Sequence, residues 1–170
     1  MTTYHLAQCN IGRILAPLDS SRLAGFVAGL EPINALADST PGFVWRLETE
    51  DGNATSIRAF DDHMLLMNMS VWESIDSLAD FVYRSAHRDV VRQRGQWFEK
   101  MSEAYMVLWW IPAGTIPTET DAKVRLDILR RDGPSPAAFT FRSPFSSPDA
   151  ATVDTTDTSA TTPDDWFCAT

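Results

Sequence analysis

Residues Leu65 to Trp72, LLMNMSVW, are a short apolar and β-favouring run, too brief for a helix and stopped by Glu73-Ser74. Strand alternation sorts them into two faces. Leu65, Met67, Met69 and Val71 are wholly apolar; Leu66, Asn68, Ser70 and Trp72 carry most of the hydrogen-bonding groups. A strand of this kind must pack one face and has polar groups for a ligand on the other. Ser74 is placed to cap a following helix, in which Ile75, Leu78, Ala79, Val82 and Ala86 form an apolar stripe that lies back on the strand. Arg84, His87, Arg88, Arg92 and Arg94 then form a basic cluster, and Trp97-Phe98 close the stretch.

The flanking chain supplies partners for this strand. Tyr4 to Ile11 reads as a strand with Tyr4, Leu6, Gln8 and Asn10 on one face, again the more polar one. A start signal at Asp19 or Ser20 leads into an amphipathic helix through Leu23, Phe26, Val27, Leu30, Ile33 and Ala37, with Pro32 as a point of kinking. Phe43 to Leu47 is a second strand, followed by a polar loop or short hairpin to Asp62 with a turn at Glu50-Asp51-Gly52-Asn53. Tyr105 to Ile111 is a fourth strand. Thr118 caps a last helix through Ala122, Leu126 and Leu129, which Gly133 ends, and Ala138 to Phe141 form an added strand or arm.

The order strand, helix, strand, strand, helix, strand predicts an α+β, ferredoxin-like antiparallel sheet with helices on one face. The uniformly apolar face of Leu65 to Val71 then needs a cover, which predicts a homodimer formed sheet against sheet. This domain spans residues 1–145. Residues 146–170 are Ser, Thr, Asp and Ala-rich, contain five of the 23 acidic residues and no Lys or Arg, and read as a disordered acidic tail, with Trp166-Phe167 as its odd apolar end.

With 170 residues, 44% of them hydrophobic, the chain is long enough for one domain with its own core. A net charge of −9 argues against nucleic acid or an anionic membrane as partner, since both need a basic surface. The two cysteines, Cys9 and Cys168, lie far apart without metal-ligand spacing. No segment is apolar for the ~18 residues that span a bilayer, and the N-terminus has no signal-peptide pattern. The expectation is a cytoplasmic protein with neither a metal nor a cofactor.

The stretches HLAQCNIGRI, VWESIDSLADFVYRSAHRDVVRQRGQWFEKM, YMVLWWIPAG and AFTFRSPF resemble the bacterial domain of unknown function 3291 family over Tyr4 to about Phe145. That family resembles the dimeric α/β-barrel superfamily, which includes monooxygenases of antibiotic biosynthesis and haem-degrading monooxygenases. The first branch implies that Asn68 and Trp72 orient a phenolic, polyketide-like substrate of secondary metabolism and dioxygen without a cofactor. The second implies Asn10, Trp72 and His87 around haem, with His87 as axial ligand. Beside both stands a non-enzymatic dimer that binds a small ligand, or a filled core in which the Trp72 N–H is satisfied by Asn68. The candidate catalytic residues are Asn68, Trp72 and His87, the last as base or proton relay. Asn10, Tyr83, Arg46, Arg84 and Trp97 are the candidate substrate-binding residues, in a pocket between sheet and helices.

Overall fold

The computed structural model describes residues 3–50 and 52–150. Within them the chain forms β1 (Tyr4–Arg13), α1 (Ala24–Ser39), β2 (Phe43–Arg46), β3 (Leu65–Trp72), α2 (Ile75–Arg84), α3 (His87–Gln93), β4 (Met106–Pro112) and α4 (Glu119–Asp132), with a 3-10 turn over Arg94–Gln96. The strands make an antiparallel sheet in the order β2-β3-β1-β4. The fold is therefore α+β. The expected acidic tail from 151 onward, including Trp166-Phe167, lies outside the described residues. Its first residues are described: the Asp149 carboxylate accepts a hydrogen bond from the Tyr4 N–H at 3.3 Å, and Ala150 N–H bonds to the Ser147 carbonyl.

Register decides which side chains meet. In the β1–β3 ladder, Gln8 faces Ser70, Asn10 faces Asn68 and Leu6 faces Trp72, while Ala7, Cys9 and Ile11 face Val71, Met69 and Met67. One sheet face is thus apolar and the other carries a strip of amides and a hydroxyl, as the alternation of both strands predicts.

The apolar face is covered by the chain itself. Ala122, Leu126 and Leu129 of α4 pack in one cluster with Cys9, Met67, Met69, Val71, Val107 and Trp109, and Leu47, Ile57, Ala59 and Phe60 from the long loop after β2 join it. Met67, Met69 and Val71 are 2%, 0% and 1% exposed. This corrects the expectation that all helices lie on one face. It also removes the exposed patch that motivated a sheet-to-sheet homodimer, since α4 already buries that surface. The helix is well placed for this: Thr118 and Asp121 form a reciprocal capping box, and Gly133, at φ 76°, ends it.

The second face is roofed by α1, α2 and α3. Leu78, Phe81 and Val82 of α2 pack with Leu6, Trp72, Met106 and Leu108, and the arm after α4 adds Phe139 and Phe141. Phe139 exchanges two backbone hydrogen bonds of 2.8 Å with Leu108, so the arm docks on the outer edge of β4 as an isolated bridge. α1 runs for 16 residues through Pro32, but it starts at Ala24 with Leu23 as cap residue rather than at Asp19 or Ser20. The Ser20 hydroxyl is spent on the Pro17 carbonyl in a turn before the helix.

A second local difference lies at Ser85. The sequence stripe runs one helix through Ala86, whereas α2 ends at Arg84 and His87 opens α3. Ser85 is extended at φ −103°, ψ 179°; its hydroxyl donates to the Phe81 carbonyl and accepts from the His87 N–H. Those side-chain bonds replace helical ones, which breaks the helix and turns the imidazole inward.

Truncating the α4 anchor tests how far this cover matters. Leu126→Ala should lower the free energy of unfolding by about 2–5 kcal/mol in chemical denaturation; a loss under about 1 kcal/mol would show that α4 does not hold the apolar face.

Candidate functional site

Between the polar sheet face and the three roofing helices lies a cavity of about 200 Å³. Its floor is Gln8, Asn10 and Gly12 of β1 with Leu66, Asn68, Ser70 and Trp72 of β3. The roof comes from α1 through Phe26, Leu30 and Ile33, from α2 through Leu78, Phe81 and Val82, and from α3 through His87 and Val90. Arg94, Trp97, Phe98 and Tyr105 close one end, and Arg46 with Asn53 to Thr55 the other. A mostly apolar and aromatic hollow with a few convergent polar groups is the general form of a small-molecule site.

The polar floor is internally wired. Gln8, 5% exposed, donates from Nε2 to Asn68 Oδ1 at 3.0 Å and to Ser70 Oγ at 3.2 Å, and Ser70 Oγ also accepts the Trp72 indole N–H at 2.8 Å. The Trp72 N–H is therefore satisfied by Ser70, not by Asn68. Its ring, 1% exposed, stacks on Phe81 at 5.2 Å and meets Phe43 edge-on at 5.3 Å. Gln8 Oε1 is buried with no hydrogen-bond partner among the described residues. Turning the amide over would only exchange which of its two polar atoms is left, so Gln8 keeps one unmatched polar atom buried within the floor.

His87 lines the cavity with its ring 4.7 Å from that of Phe81. Burial lowers its pKa from the ordinary 6.5 to about 4, partly opposed by a hydrogen bond with the Val82 carbonyl. The imidazole is neutral at pH 7. A base of that strength accepts and relays a proton but does not retain it.

The structure brings Asn10, Asn68, Trp72, His87, Arg46 and Trp97 together around the cavity. Their states differ. Arg46 bonds Asp38 at 2.8 Å, Glu48 at 2.8 Å and the Gly52 carbonyl at 2.8 Å, so its charge is compensated and it clamps β2 to α1 and the loop. Trp97 is a wall residue against Phe26, at 5.9 Å between ring centroids. Tyr83 and Arg84 are not among the lining residues. Tyr83 packs edge-on against Phe141 at 5.6 Å, with burial and then Tyr105 raising its pKa to about 12. Arg84, 81% exposed in its side chain, pairs with Asp80 one helical turn back at 2.9 Å. A stripe at helical spacing admits only one face to the cavity, and both residues fall off it.

Gln8, Ser70, Arg94 and Tyr105 line the site without having been singled out from sequence. The alternation of β1 and β3 already put Gln8 and Ser70 on the polar face; Arg94 and Tyr105 arrive through the turn after α3 and the start of β4, which no local pattern specifies. Among the described residues no group of three or more His, Cys, Asp or Glu is arranged to hold a metal ion, and no helix is long and apolar enough to cross a membrane.

The buried imidazole has a pH signature. Above about pH 6.5 His87 is neutral whether the chain is folded or not. As pH falls toward about 4, the unfolded chain takes up a proton that the folded chain refuses, so stability drops across that window. His87→Phe, which keeps a ring against Phe81, should remove that part of the decline, on the order of 2 kcal/mol between pH 7 and 4. Denaturation midpoints that fall in parallel for both proteins would refute the assignment.

Comparison with known proteins assigns a family without a reaction. No curated protein matches the chain. A solved structure, the NE2512 protein of unknown function from Nitrosomonas europaea, is similar with a TM-score of 0.41 and 11% identity, over 69% of this chain and 99% of that one. The family described as domain of unknown function DUF3291 matches residues 5–156. The chain belongs to that family.

Proposed function

We propose that this chain is a small-molecule oxidoreductase resembling cofactor-independent monooxygenases, acting on a phenolic, polyketide-like aromatic held between the sheet and α1–α3. The observation that carries this reading is the cavity itself: aromatic walls of Phe26, Phe81, Trp72, Trp97 and Phe98 over a floor of amides, with one amide group unmatched. Aromatic rings take a flat apolar ring, and the floor amides of Asn10 and Asn68 take its oxygen. The strand order β2-β3-β1-β4 with its helical crossovers supports a ferredoxin-like reading of the fold. The reading does not call on a second copy of the chain.

The chemistry asks little of the protein. A phenolate passes an electron to dioxygen, the radical pair recombines at the ring carbon, and the hydroperoxide loses water to leave a quinone. One oxygen atom enters the ring, the other leaves as water, and the ring supplies all four electrons that dioxygen takes up. Asn68 is positioned to donate to the developing oxyanion. His87, neutral and weakly basic, relays the phenolic proton. Trp72, with its N–H held by Ser70, shapes the wall that the ring lies against.

Haem is the less supported ligand for this cavity. The cavity of about 200 Å³ is below the ~300–1,000 Å³ of pockets for drug-sized ligands, a porphyrin is larger than such ligands, and the His87 ring lies against Phe81. A non-enzymatic binding protein is the second reading. It is favoured by the engagement of the Trp72 N–H, which leaves that indole no donor for dioxygen or substrate.

Oxygen consumption separates the two. With 1-naphthol, the enzyme reading expects dioxygen uptake with one naphthoquinone formed per dioxygen, reduced about 10- to 100-fold in Asn68→Ala. Binding of 1-naphthol without dioxygen uptake above the protein-free control would leave the binding protein.

A further inference from the structure

Arg94 lines the cavity without a carboxylate partner among the described residues. It lies partly buried where α3 gives way to the 3-10 turn, with its guanidinium carbon 4.3 Å from the Tyr105 ring centroid and 5.3 Å from that of Phe98. One amino nitrogen donates to the Ile11 carbonyl at 3.3 Å. Among the described residues no carboxylate pairs with it, in contrast to Arg46 at the other end, which has two. Gly12 makes the fit possible: a Cβ there would stand 2.6 Å from the Phe98 ring and 3.2 Å from the Arg94 guanidinium.

A guanidinium has five N–H donors and stays charged in proteins. Burial works against that charge here, with the nearby Tyr105 as a minor opposing influence. Two ring faces and one carbonyl compensate it only in part. The side chain lines the end of a hollow of apolar rings, and a planar anion is met there by a fork of matching geometry. We propose that Arg94 receives the anionic group of the ligand, so that the molecule taken up is an aromatic acid: carboxylate on Arg94, ring among Phe26, Trp97 and Phe98. This rests on the reading of the cavity as a small-molecule site and narrows the ligand class within it.

Isothermal titration of the full chain at pH 7.5 with benzoate and with benzyl alcohol tests it, since the two probes share a ring and differ in charge. The wild-type protein should bind benzoate at least tenfold more tightly, and Arg94→Met should abolish that preference while leaving benzyl alcohol within about twofold. A purely structural role for Arg94 would weaken both probes alike and would overturn the proposal, as would a wild-type protein that prefers benzyl alcohol. Should Arg94→Met fail to fold by circular dichroism, Arg94→Gln and the wild-type comparison decide. If benzyl alcohol binds and benzoate does not, the anion site falls and the cavity reading stands; if neither binds at millimolar concentration, both fall.

Discussion

The pairing of β1 with β3 is the constraint on which the rest of this molecule depends. Its register sets Gln8 opposite Ser70 and Asn10 opposite Asn68, and it sets Cys9 opposite Met69 on the reverse side. A slip of one residue would carry the amides into the apolar core and the methionines into the cavity. Such a slip costs twice, because buried amides lose their partners and apolar side chains lose their cover. The polar strip is therefore held by the same apolar packing that lies on the other side of the sheet.

That packing is completed within one chain. α4 and the loop after β2 cover the apolar face, while α1, α2, α3 and the arm cover the polar one. The two coverings differ in quality. α4 buries Ala122, Leu126 and Leu129 against the sheet, whereas α1 buries only Ala37 within its length and leaves Val27 41% exposed. A roof that does not close down on a polar floor leaves a hollow. The hollow is thus a consequence of putting amides where a helix would otherwise bury leucines.

Charge within the hollow follows from what each side chain can reach. Arg46, at the sheet edge, finds Asp38 and Glu48 and becomes a strut. Arg94, enclosed by Tyr105 and Phe98, finds rings and a carbonyl. His87, turned inward by the break at Ser85, loses its proton to burial. Two basic residues of one sequence cluster, Arg84 and Arg94, consequently end up with different tasks, one as a solvated ion pair on a helix surface and one facing the cavity.

The sequence by itself determined the strands, their two-faced character and the capped starts of α2 at Ser74 and α4 at Thr118. Those depend on period-two and period-3.6 patterns and on caps such as Thr118 and Gly133, all of which act between residues a few positions apart. From the same patterns Asn10, Asn68 and Trp72 could be placed on one face, and Gln8 and Ser70 with them. The tertiary structure alone decided that α4 would cross to the apolar face, that the Trp72 N–H would go to Ser70, and that Arg94 rather than Arg84 or Tyr83 would meet the cavity. Each of those outcomes is a competition between partners distant in sequence, settled by which surface remains uncovered once the sheet has formed, and no local spacing records it.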